Sequence, residues 1–434
     1  MGAMTMKKLI ALSLLAVMLF TLTACTSGTQ TAAPQTTATP VTGFSPLLDT
    51  KAELSLNVVG EYGNFEALEQ VIQDFQKYYP NVSITYEQIT DFNAGLPIRF
   101  ASGESIDLFY LNTMNFQTAF QGAISEYAVD LNTIQGMDLS ALSDKVLEAG
   151  QADGKQILLP MYDQTYGLIA NVTLLKKYGL SVPTTHDELI AACDKLLAEG
   201  ITPLYGAQVL RRSLFESDCV YHLTHAENCD ELCEAMNRGV LDASIVEDAL
   251  AAYQDMEAKG YFNAEADTLK DSYNAAILRF FEGDIPFLVG TSDTISGCRK
   301  REAKSEAFTA SPFEYTYFLP SMVENDEPKL LLVSMFFGVY DKSEHQDYAN
   351  EFIRFMATRD ELVTMATVKG MPSAIENTGD SRFTYVESLT DAQKLYAVDA
   401  PCGVNALSAL NGALTKLSEG SVEAIQAEYT ERLK

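Results

Sequence analysis

Residues 54–87 have the sequence LSLNVVGEYGNFEALEQVIQDFQKYYPNVSITYE, in which the hydrophobic period changes twice. Apolar residues alternate over 54–58, the period of a β-strand, and a glycine-containing loop follows. Over 65–79 the apolar residues recur on one helical face until Pro80 ends the pattern. A second alternating segment follows at 82–86. The stretch therefore predicts a strand–loop–helix–strand unit, the building block of an α/β fold.

The same alternation continues to the end of the chain. The apolar run at 106–111 is typical of a buried parallel strand, and 285–289 and 330–340 predict further strands. Capping boxes at Thr185, Ser244 and Ser343 predict three helix starts. Strands and amphipathic helices over nearly 390 residues predict two α/β domains.

The N-terminus has the pattern of a secretory signal. Lys7 and Lys8 precede a mostly apolar core at 9–22, which is too short for a permanent transmembrane helix. The core ends in Leu-Thr-Ala-Cys and resembles the bacterial lipobox, which implies cleavage after residue 24 and a diacylglyceryl and palmitate anchor on Cys25. We therefore expect a signal peptide at 1–24 and a protein held by lipid at the extracytoplasmic face of the cell membrane.

A polar segment follows the predicted anchor. Residues 26–42, TSGTQTAAPQTTATPVT, contain no charge, no aromatic residue and no hydrophobic period, so they cannot bury enough surface to fold. We assign residues 25–50 to the anchor and a flexible linker, which as a coil of about 20 residues spans roughly 25 Å.

The charge balance limits the range of partners. The chain carries 59 acidic and 30 basic residues, a formal net charge of −29. Such a surface repels phosphate backbones, so we expect no nucleic-acid partner, and an anionic ligand would need a local basic pocket.

Six cysteines follow Cys25, and an even number permits disulfides without requiring them. The tightest group is Cys219, His222, His225, Cys229 and Cys233, which contains enough soft ligands for zinc but no Cys-x2-Cys pair. Free thiols are the preferred interpretation; a local disulfide and a metal site remain alternatives. We expect no metal and no cofactor.

The order of segments resembles one known family, the extracytoplasmic solute-binding proteins of bacterial ABC importers, in particular the sugar-type group that includes maltose-binding protein. The resemblance extends from about residue 54 to the C-terminus. It rests on residues 54–87, then FASGESIDLFYLN at 100–112, DGKQILLPMYDQTYGLIANVTLLKKYGLSVPTTHDELIAAC at 153–193, LRFFEGDIPFLVGTSDTIS at 278–296 and YANEFIRFMATRDELVTMATVKGMPSA at 348–374.

The resemblance implies two doubly wound α/β lobes joined by crossing strands, with a solute held between them by closure of the lobes. It assigns residues 51–162 and 285–325 to the first lobe, and residues 163–284 and 326–434 to the second. It also implies an ABC permease as partner, and we expect a monomer.

The family's contact loops, carried over to this chain, imply a set of ligand-binding residues. They are Glu61, Tyr62, Asn112, Asn115, Tyr162, Asp163, Gln164, Tyr166, Ser292, Asp293 and Phe337. Carboxylates and amides bind hydroxyls, and aromatic faces cover the C–H groups of a sugar. Phe337 lies in an apolar run that is equally typical of a core strand, and the acids lie in polar loops where solvation is an alternative.

The chain departs from the sugar-type family in one respect, because it has no tryptophan. Asp293 stands where a stacking residue is expected. A carbohydrate is the favoured ligand, and a cationic solute bound by Glu61, Asp163 and Asp293 is the alternative. A lipid-anchored glycoside hydrolase is the hypothesis from another class, but the chain has no G-x-S-x-G, H-E-x-x-H or phosphate-loop motif. We therefore expect no catalytic residues.

Overall fold

The computed structural model describes residues 43–433 apart from 64, 91, 113–122, 269–271, 325–329, 376–377, 379–380 and 397–401. The predicted signal peptide, Cys25 and the linker up to residue 42 lie outside the described residues, and so does Asn115.

The described residues contain twelve strands. In chain order they are β1 (Leu54–Gly60), β2 (Val82–Gln88), β3 (Leu108–Asn112), β4 (Gln151–Ala152), β5 (Lys155–Gln156), β6 (Leu159–Gln164), β7 (Tyr166–Asn171), β8 (Leu204–Tyr205), β9 (Phe287–Thr291), β10 (Tyr315–Phe318), β11 (Leu330–Val339) and β12 (Lys394–Tyr396).

Seventeen α-helices surround these strands in the described part of the chain. They are α1 (Glu66–Phe75), α2 (Phe92–Ser102), α3 (Asp144–Glu148), α4 (Val172–Lys177), α5 (His186–Ala198), α6 (Gln208–Arg211), α7 (Ser213–His225), α8 (Cys229–Asn237), α9 (Glu247–Ala258), α10 (Ser272–Phe280), α11 (Thr294–Glu302), α12 (Glu306–Ala310), α13 (Gln346–Met356), α14 (Arg359–Lys369), α15 (Thr384–Ser388), α16 (Val404–Ala413) and α17 (Val422–Arg432).

Two mixed sheets organise the fold. The six-stranded sheet has the order β12-β11-β3-β1-β2, with β6 also paired to β11, and the four-stranded sheet has the order β10-β7-β9-β8. Pairs β1–β2 and β1–β3 are parallel, whereas β11 runs antiparallel to β3 and β6. We call the six-stranded sheet with its helices the first lobe and the four-stranded sheet with its helices the second lobe.

One residue, Thr165, separates β6 of the six-stranded sheet from β7 of the four-stranded sheet, and the chain returns to the six-stranded sheet between β10 and β11. Thr165 is buried, and its N–H donates to Ser292 Oγ at 3.2 Å. Its carbonyl oxygen accepts from the N–H of Ser292 at 2.8 Å. Ser292 therefore fixes the crossing point by packing and hydrogen bonding.

The strand pairing corrects the predicted lobe boundaries at two segments. Residues 285–325, predicted for the first lobe, contain β9 and β10, which pair with β7 in the four-stranded sheet. Within 326–434, predicted for the second lobe, β11 and β12 belong to the six-stranded sheet. The hydrogen-bond partners of these strands are distant in sequence, so local pattern does not specify them.

The N-terminal part of the described chain is fastened to α13 by a buried charged network. Glu351, 3 % exposed, accepts hydrogen bonds from the N–H of Leu47 at 2.9 Å and the hydroxyl of Tyr79 at 2.5 Å. Arg354 donates to both Glu351 oxygens, at 2.8 and 2.9 Å, and to the carbonyl of Ser45 at 2.8 Å. Ser45 and Leu47, which lie within the predicted linker 25–50, are therefore hydrogen-bonded to the first lobe.

A disulfide joins Cys233 on α8 to Cys402, just before α16. The preferred interpretation of free thiols in the 219–233 cluster is thus wrong for Cys233, whose partner lies 169 residues away. Cys193, Cys219, Cys229 and Cys298 are free. In the described residues, no group of three or more His, Cys, Asp or Glu side chains is arranged to hold a metal ion.

Among the helices that the structure describes, none combines the length and the apolar composition needed to cross a bilayer.

Candidate functional site

The loop after β1 is held in place by Tyr110. The ring of Tyr110 lies so close to Gly60 that a Cβ at that position would overlap it. This approach lets the Tyr110 hydroxyl accept from the N–H of Tyr62 at 2.9 Å and donate to its carbonyl at 2.8 Å. The backbone of Tyr62 therefore has a fixed position at the carboxyl end of β1, where open α/β sheets bind ligands.

Glu61 and Asn112 form one paired unit. The backbone N–H of Asn112 donates to Glu61 Oε1 and its side-chain amide donates to Oε2, both at 2.9 Å. Two residues predicted from different loops are thus brought together across β1 and β3. The carboxylate of Glu61 is oriented by the amide, as in sites that direct acceptor oxygens at hydroxyl groups.

The aromatic ring of Tyr62 lies between polar and apolar neighbours. The Lys369 ammonium is 4.3 Å from its centroid, and Phe65 contacts it edge-on at 5.3 Å. Burial, followed by the charge of Glu61, raises the pKa of Tyr62 to about 12. Tyr162 is fully buried behind it, and burial and the nearby Tyr62 raise the pKa of Tyr162. Both tyrosines therefore remain neutral hydrogen-bonding groups at physiological pH.

Gln164 of the first lobe and Tyr166 and Asp293 of the second lobe belong to the same region. Gln164 ends β6 and Tyr166 begins β7, so the crossing at Thr165 places them on the boundary between the lobes. Asp293 precedes α11 and accepts a hydrogen bond from the Thr291 hydroxyl.

The charge of Asp293 affects the pKa values of residues in both lobes. It helps to raise the pKa of Tyr62 and of Tyr166, and it opposes the burial that lowers the pKa of Lys369. Asp293 therefore lies within electrostatic range of residues from both lobes.

Three further residues join this region that the sequence did not single out: Arg212, Glu216 and Asn411. Asn411 donates to the Glu216 carboxylate, and an Arg212 guanidinium N–H donates to Asn411 Oδ1 at 3.3 Å. Burial raises the pKa of Glu216 to about 7, against the opposing effects of Asn411 and Arg212. Glu216 and Arg212 act in opposite directions on the pKa of Tyr166, which places that ring beside them.

We define the cleft by the residues that meet at the boundary between the lobes. They are Glu61, Tyr62, Asn112, Tyr162, Gln164, Tyr166, Arg212, Glu216, Asp293, Lys369 and Asn411. No local signal identifies Arg212, Glu216 or Asn411, because they are brought together over about 200 positions. Lys369 is the last residue of α14.

Three predicted residues lie away from the cleft. Phe337 on β11 is 0 % exposed and stacks on Tyr110 at 5.2 Å, so it belongs to the core beneath the first-strand loop. Ser292 is 0 % exposed and holds the crossing point. Neither side chain is exposed to a ligand in this structure.

Asp163 is the third predicted residue that lies away from the cleft. It is 5 % exposed and lines a cavity of about 370 Å³ together with Arg359, Ser373 and Lys394. Gln164 and Asp293 line a different cavity. Successive side chains of a strand point to opposite faces, so a shift of one position separates Asp163 from its neighbours in the cleft.

The cleft combines three acids with two cations. Lys369 interacts electrostatically with Asp293, and Arg212 interacts electrostatically with Glu216. Glu61 accepts two hydrogen bonds from Asn112. The two cations therefore offset part of the negative charge in the cleft. With its tyrosine rings and amide groups, such a surface suits hydroxyl groups and sugar C–H faces.

Comparisons with known proteins agree with this description. The family model described as "Bacterial extracellular solute-binding protein" matches residues 60–361. A protein named multiple sugar-binding protein, from Streptococcus mutans, is 20% identical over 335 residues, which cover 74% of this chain and 75% of that protein.

Solved structures share the fold. Apo RafE from Streptococcus pneumoniae superposes with a TM-score of 0.70 at 16% identity, covering 88% of this chain and 97% of that one. RafE in complex with raffinose gives 0.67 at 17% identity, with 88% and 100% covered. An ABC substrate-binding protein from Listeria monocytogenes in complex with cycloalternan gives 0.63 at 19% identity, with 88% and 98% covered.

Proposed function

Because this chain belongs to the bacterial extracellular solute-binding protein family, we propose that it is a receptor that captures a carbohydrate in the cleft and delivers it to an ABC import permease. The mixture of acids and cations in the cleft is the observation that carries this proposal. Lys369 accompanies Asp293 and Arg212 accompanies Glu216, so the site offers hydrogen-bond donors as well as acceptors. That balance favours a neutral polyol over a cation.

The raffinose and cycloalternan complexes of structural relatives support an oligosaccharide as the ligand. In place of tryptophan, Tyr62 and Tyr166 supply aromatic surface, one from each lobe. The alternative of a cationic solute retains the acids Glu61 and Asp293 as its only support, since Asp163 lies in another cavity.

A panel of neutral oligosaccharides, amino sugars and polyamines tests the proposal by thermal shift. A ligand at a hundred times its dissociation constant adds about 2.7 kcal/mol to stability, which gives a clear melting shift. Recovery of unchanged sugar after incubation distinguishes a receptor from a hydrolase. Stabilisation by polyamines alone would overturn the carbohydrate assignment.

The Asp293→Asn variant should bind a neutral sugar about 1–2 kcal/mol more weakly, since the amide keeps an acceptor oxygen but loses charge. A cationic ligand would instead lose about 2–5 kcal/mol, and its affinity for the wild type would fall with added salt. Isothermal titration at two salt concentrations makes the comparison. Asp187→Asn, an exposed acid on α5, controls for net charge.

The Cys25→Ser variant should move the folded protein to the soluble extracytoplasmic fraction with unchanged affinity. The lipobox pattern motivates this expectation, and the described fold begins at Gly43, after the polar linker. Fractionation followed by a salt wash measures it. Retention of the variant on the membrane would indicate a second anchor and contradict the proposal.

Ligand should also compact the protein, because closure makes contacts with both lobes. Two polar contacts already join α11 of the second lobe to the first: Lys300 pairs with Glu66 at 2.9 Å, and Arg299 donates to the carbonyl of Thr367 at 3.1 Å. Small-angle scattering should show a smaller radius of gyration with saturating sugar. Identical profiles with and without ligand would argue against closure.

A further inference from the structure

A small cavity adjoins the cleft on the second-lobe side. It has a volume of about 220 Å³ and lies between α6, α10 and β9. Its floor is apolar, formed by Leu210, Ala276, Ile277, Leu288 and Val289. Gly290, Thr291, Thr294 and the two cleft residues Gln164 and Asp293 complete its lining. The Thr291 hydroxyl donates to Asp293, and the Thr294 hydroxyl accepts from the N–H of Thr291 at 3.1 Å. The cavity is therefore continuous with the cleft through two polar side chains.

The size of the cavity determines what it can hold. Pockets that enclose a whole small molecule have volumes of roughly 300–1,000 Å³. A cavity of about 220 Å³ suits one substituent of a ligand whose remainder lies in the cleft. The apolar floor disfavours a hydroxyl group there, because a hydroxyl that loses water needs a new hydrogen-bond partner.

Gln164 and Asp293, the polar lining residues shared with the cleft, restrict the chemistry of the attached group. A carboxylate such as Asp293 is an acceptor only, and it offers about four acceptor positions. The Gln164 side-chain amide supplies N–H donors. A group that enters between them presents an N–H to Asp293, a carbonyl oxygen to Gln164 and an apolar end to the floor.

We propose that this cavity is a subsite for the acylamino group of an N-acylated amino sugar. The N–H donates to Asp293, the carbonyl accepts from Gln164, and the methyl group contacts Ala276, Ile277 and Leu288. The inference rests on the proposed carbohydrate receptor function and narrows its substrate class. It also accounts for an acid at position 293, where a stacking residue was expected.

Isothermal titration with three matched β-1,4 trisaccharides tests the inference: triacetylchitotriose, cellotriose and deacetylated chitotriose. They differ at C2, which carries acetamido, hydroxyl and ammonium respectively. We expect triacetylchitotriose to bind at least ten-fold more tightly than cellotriose. Replacing acetyl by propionyl should tighten binding further, by up to about four-fold for the added methylene.

The Ala276→Leu variant tests the location, because the larger side chain fills the cavity from α10. It should abolish the preference for the acetamido sugar while leaving cellotriose affinity within about two-fold. Ala275→Leu, at the neighbouring half-buried position outside the cavity lining, should keep the preference. Should Ala276→Leu fail to fold, the acyl-length series on the wild type still decides.

The possible outcomes distinguish the acylamino subsite from the proposed carbohydrate receptor function. Equal affinity for the acetamido and hydroxyl sugars would overturn the subsite and leave the carbohydrate receptor intact. Tightest binding of the ammonium sugar would overturn the subsite in favour of a cation site. Absence of binding to every sugar in the panel would overturn the proposed function and the subsite with it.

Discussion

The Glu351→Ala variant should lose about 3–5 kcal/mol of unfolding free energy, the cost typical of removing one partner from a buried ion pair. Glu351 accepts hydrogen bonds from Leu47, Tyr79 and Arg354. Without the carboxylate, the guanidinium of Arg354, 10 % exposed, loses its counter-charge. Urea denaturation of wild type and variant measures the loss.

A matched variant separates charge from shape. Glu351→Gln keeps an acceptor oxygen for Leu47 and removes the charge, so its loss should lie between zero and that of Glu351→Ala. Ligand affinity should be unchanged in both, because Tyr79 follows the end of α1 whereas Tyr62 precedes its start. If Glu351→Ala is as stable as the wild type, the buried charge of Arg354 does not depend on Glu351 for its stabilisation.

The Glu361→Gln variant should be more stable than the wild type at pH 7, by roughly 1–3 kcal/mol, and equally stable near pH 4. Glu361 on α14 is 1 % exposed, and within the described residues its Oε2 has no hydrogen-bond partner. Burial, followed by Asp74 and Asp360, raises the pKa of Glu361 to about 8 against the opposing charge of Lys77.

The direction in which stability changes with pH follows from proton linkage. Because the pKa of Glu361 is higher in the folded protein, the folded state binds more protons than the unfolded state between about pH 4.5 and 8. Stability is therefore highest below this window and falls as the pH rises through it, at about 1.4 kcal/mol per pH unit at most.

Urea midpoints measured at pH 4, 6 and 8 test this expectation. The variant should show a flatter profile than the wild type. Asp360→Asn, at the exposed neighbouring position, should change the profile much less. Parallel profiles for wild type and Glu361→Gln would show that Glu361 is ionised at little cost in the fold.

The local sequence predicted the helices and strands better than it predicted their tertiary contacts. The capping box at Thr185 is confirmed, since its hydroxyl accepts from the N–H of Glu188 at 3.2 Å and α5 follows. The same pattern at Ser343 does not cap α13, which begins at Gln346 after His345. The Ser343 hydroxyl accepts from the N–H of His345 at 3.0 Å and donates to Asp107, so it stabilises the turn before the helix and not the first helical turn.

The candidate site was predicted in the same uneven way. The family's contact loops implied Glu61, Tyr62, Asn112, Gln164 and Asp293, and the structure brings these residues to the boundary between the lobes. The face of a strand was not predictable from an unbroken apolar run, so Phe337 was misplaced. The Cys233–Cys402 disulfide could not be predicted either, since the spacing of cysteines carries no information on pairing over 169 residues.

The order of strands has a kinetic consequence for how this protein is made. The four-stranded sheet uses one continuous stretch, β7 to β10, whereas the six-stranded sheet waits for β11, which is synthesised only after β10. Pairings between distant segments form slowly, because loop closure must precede the contacts that reward it. On the way to the native state, the amides of β7 should gain protection from exchange before those of β3, because its partner β11 emerges after all four strands of the other sheet.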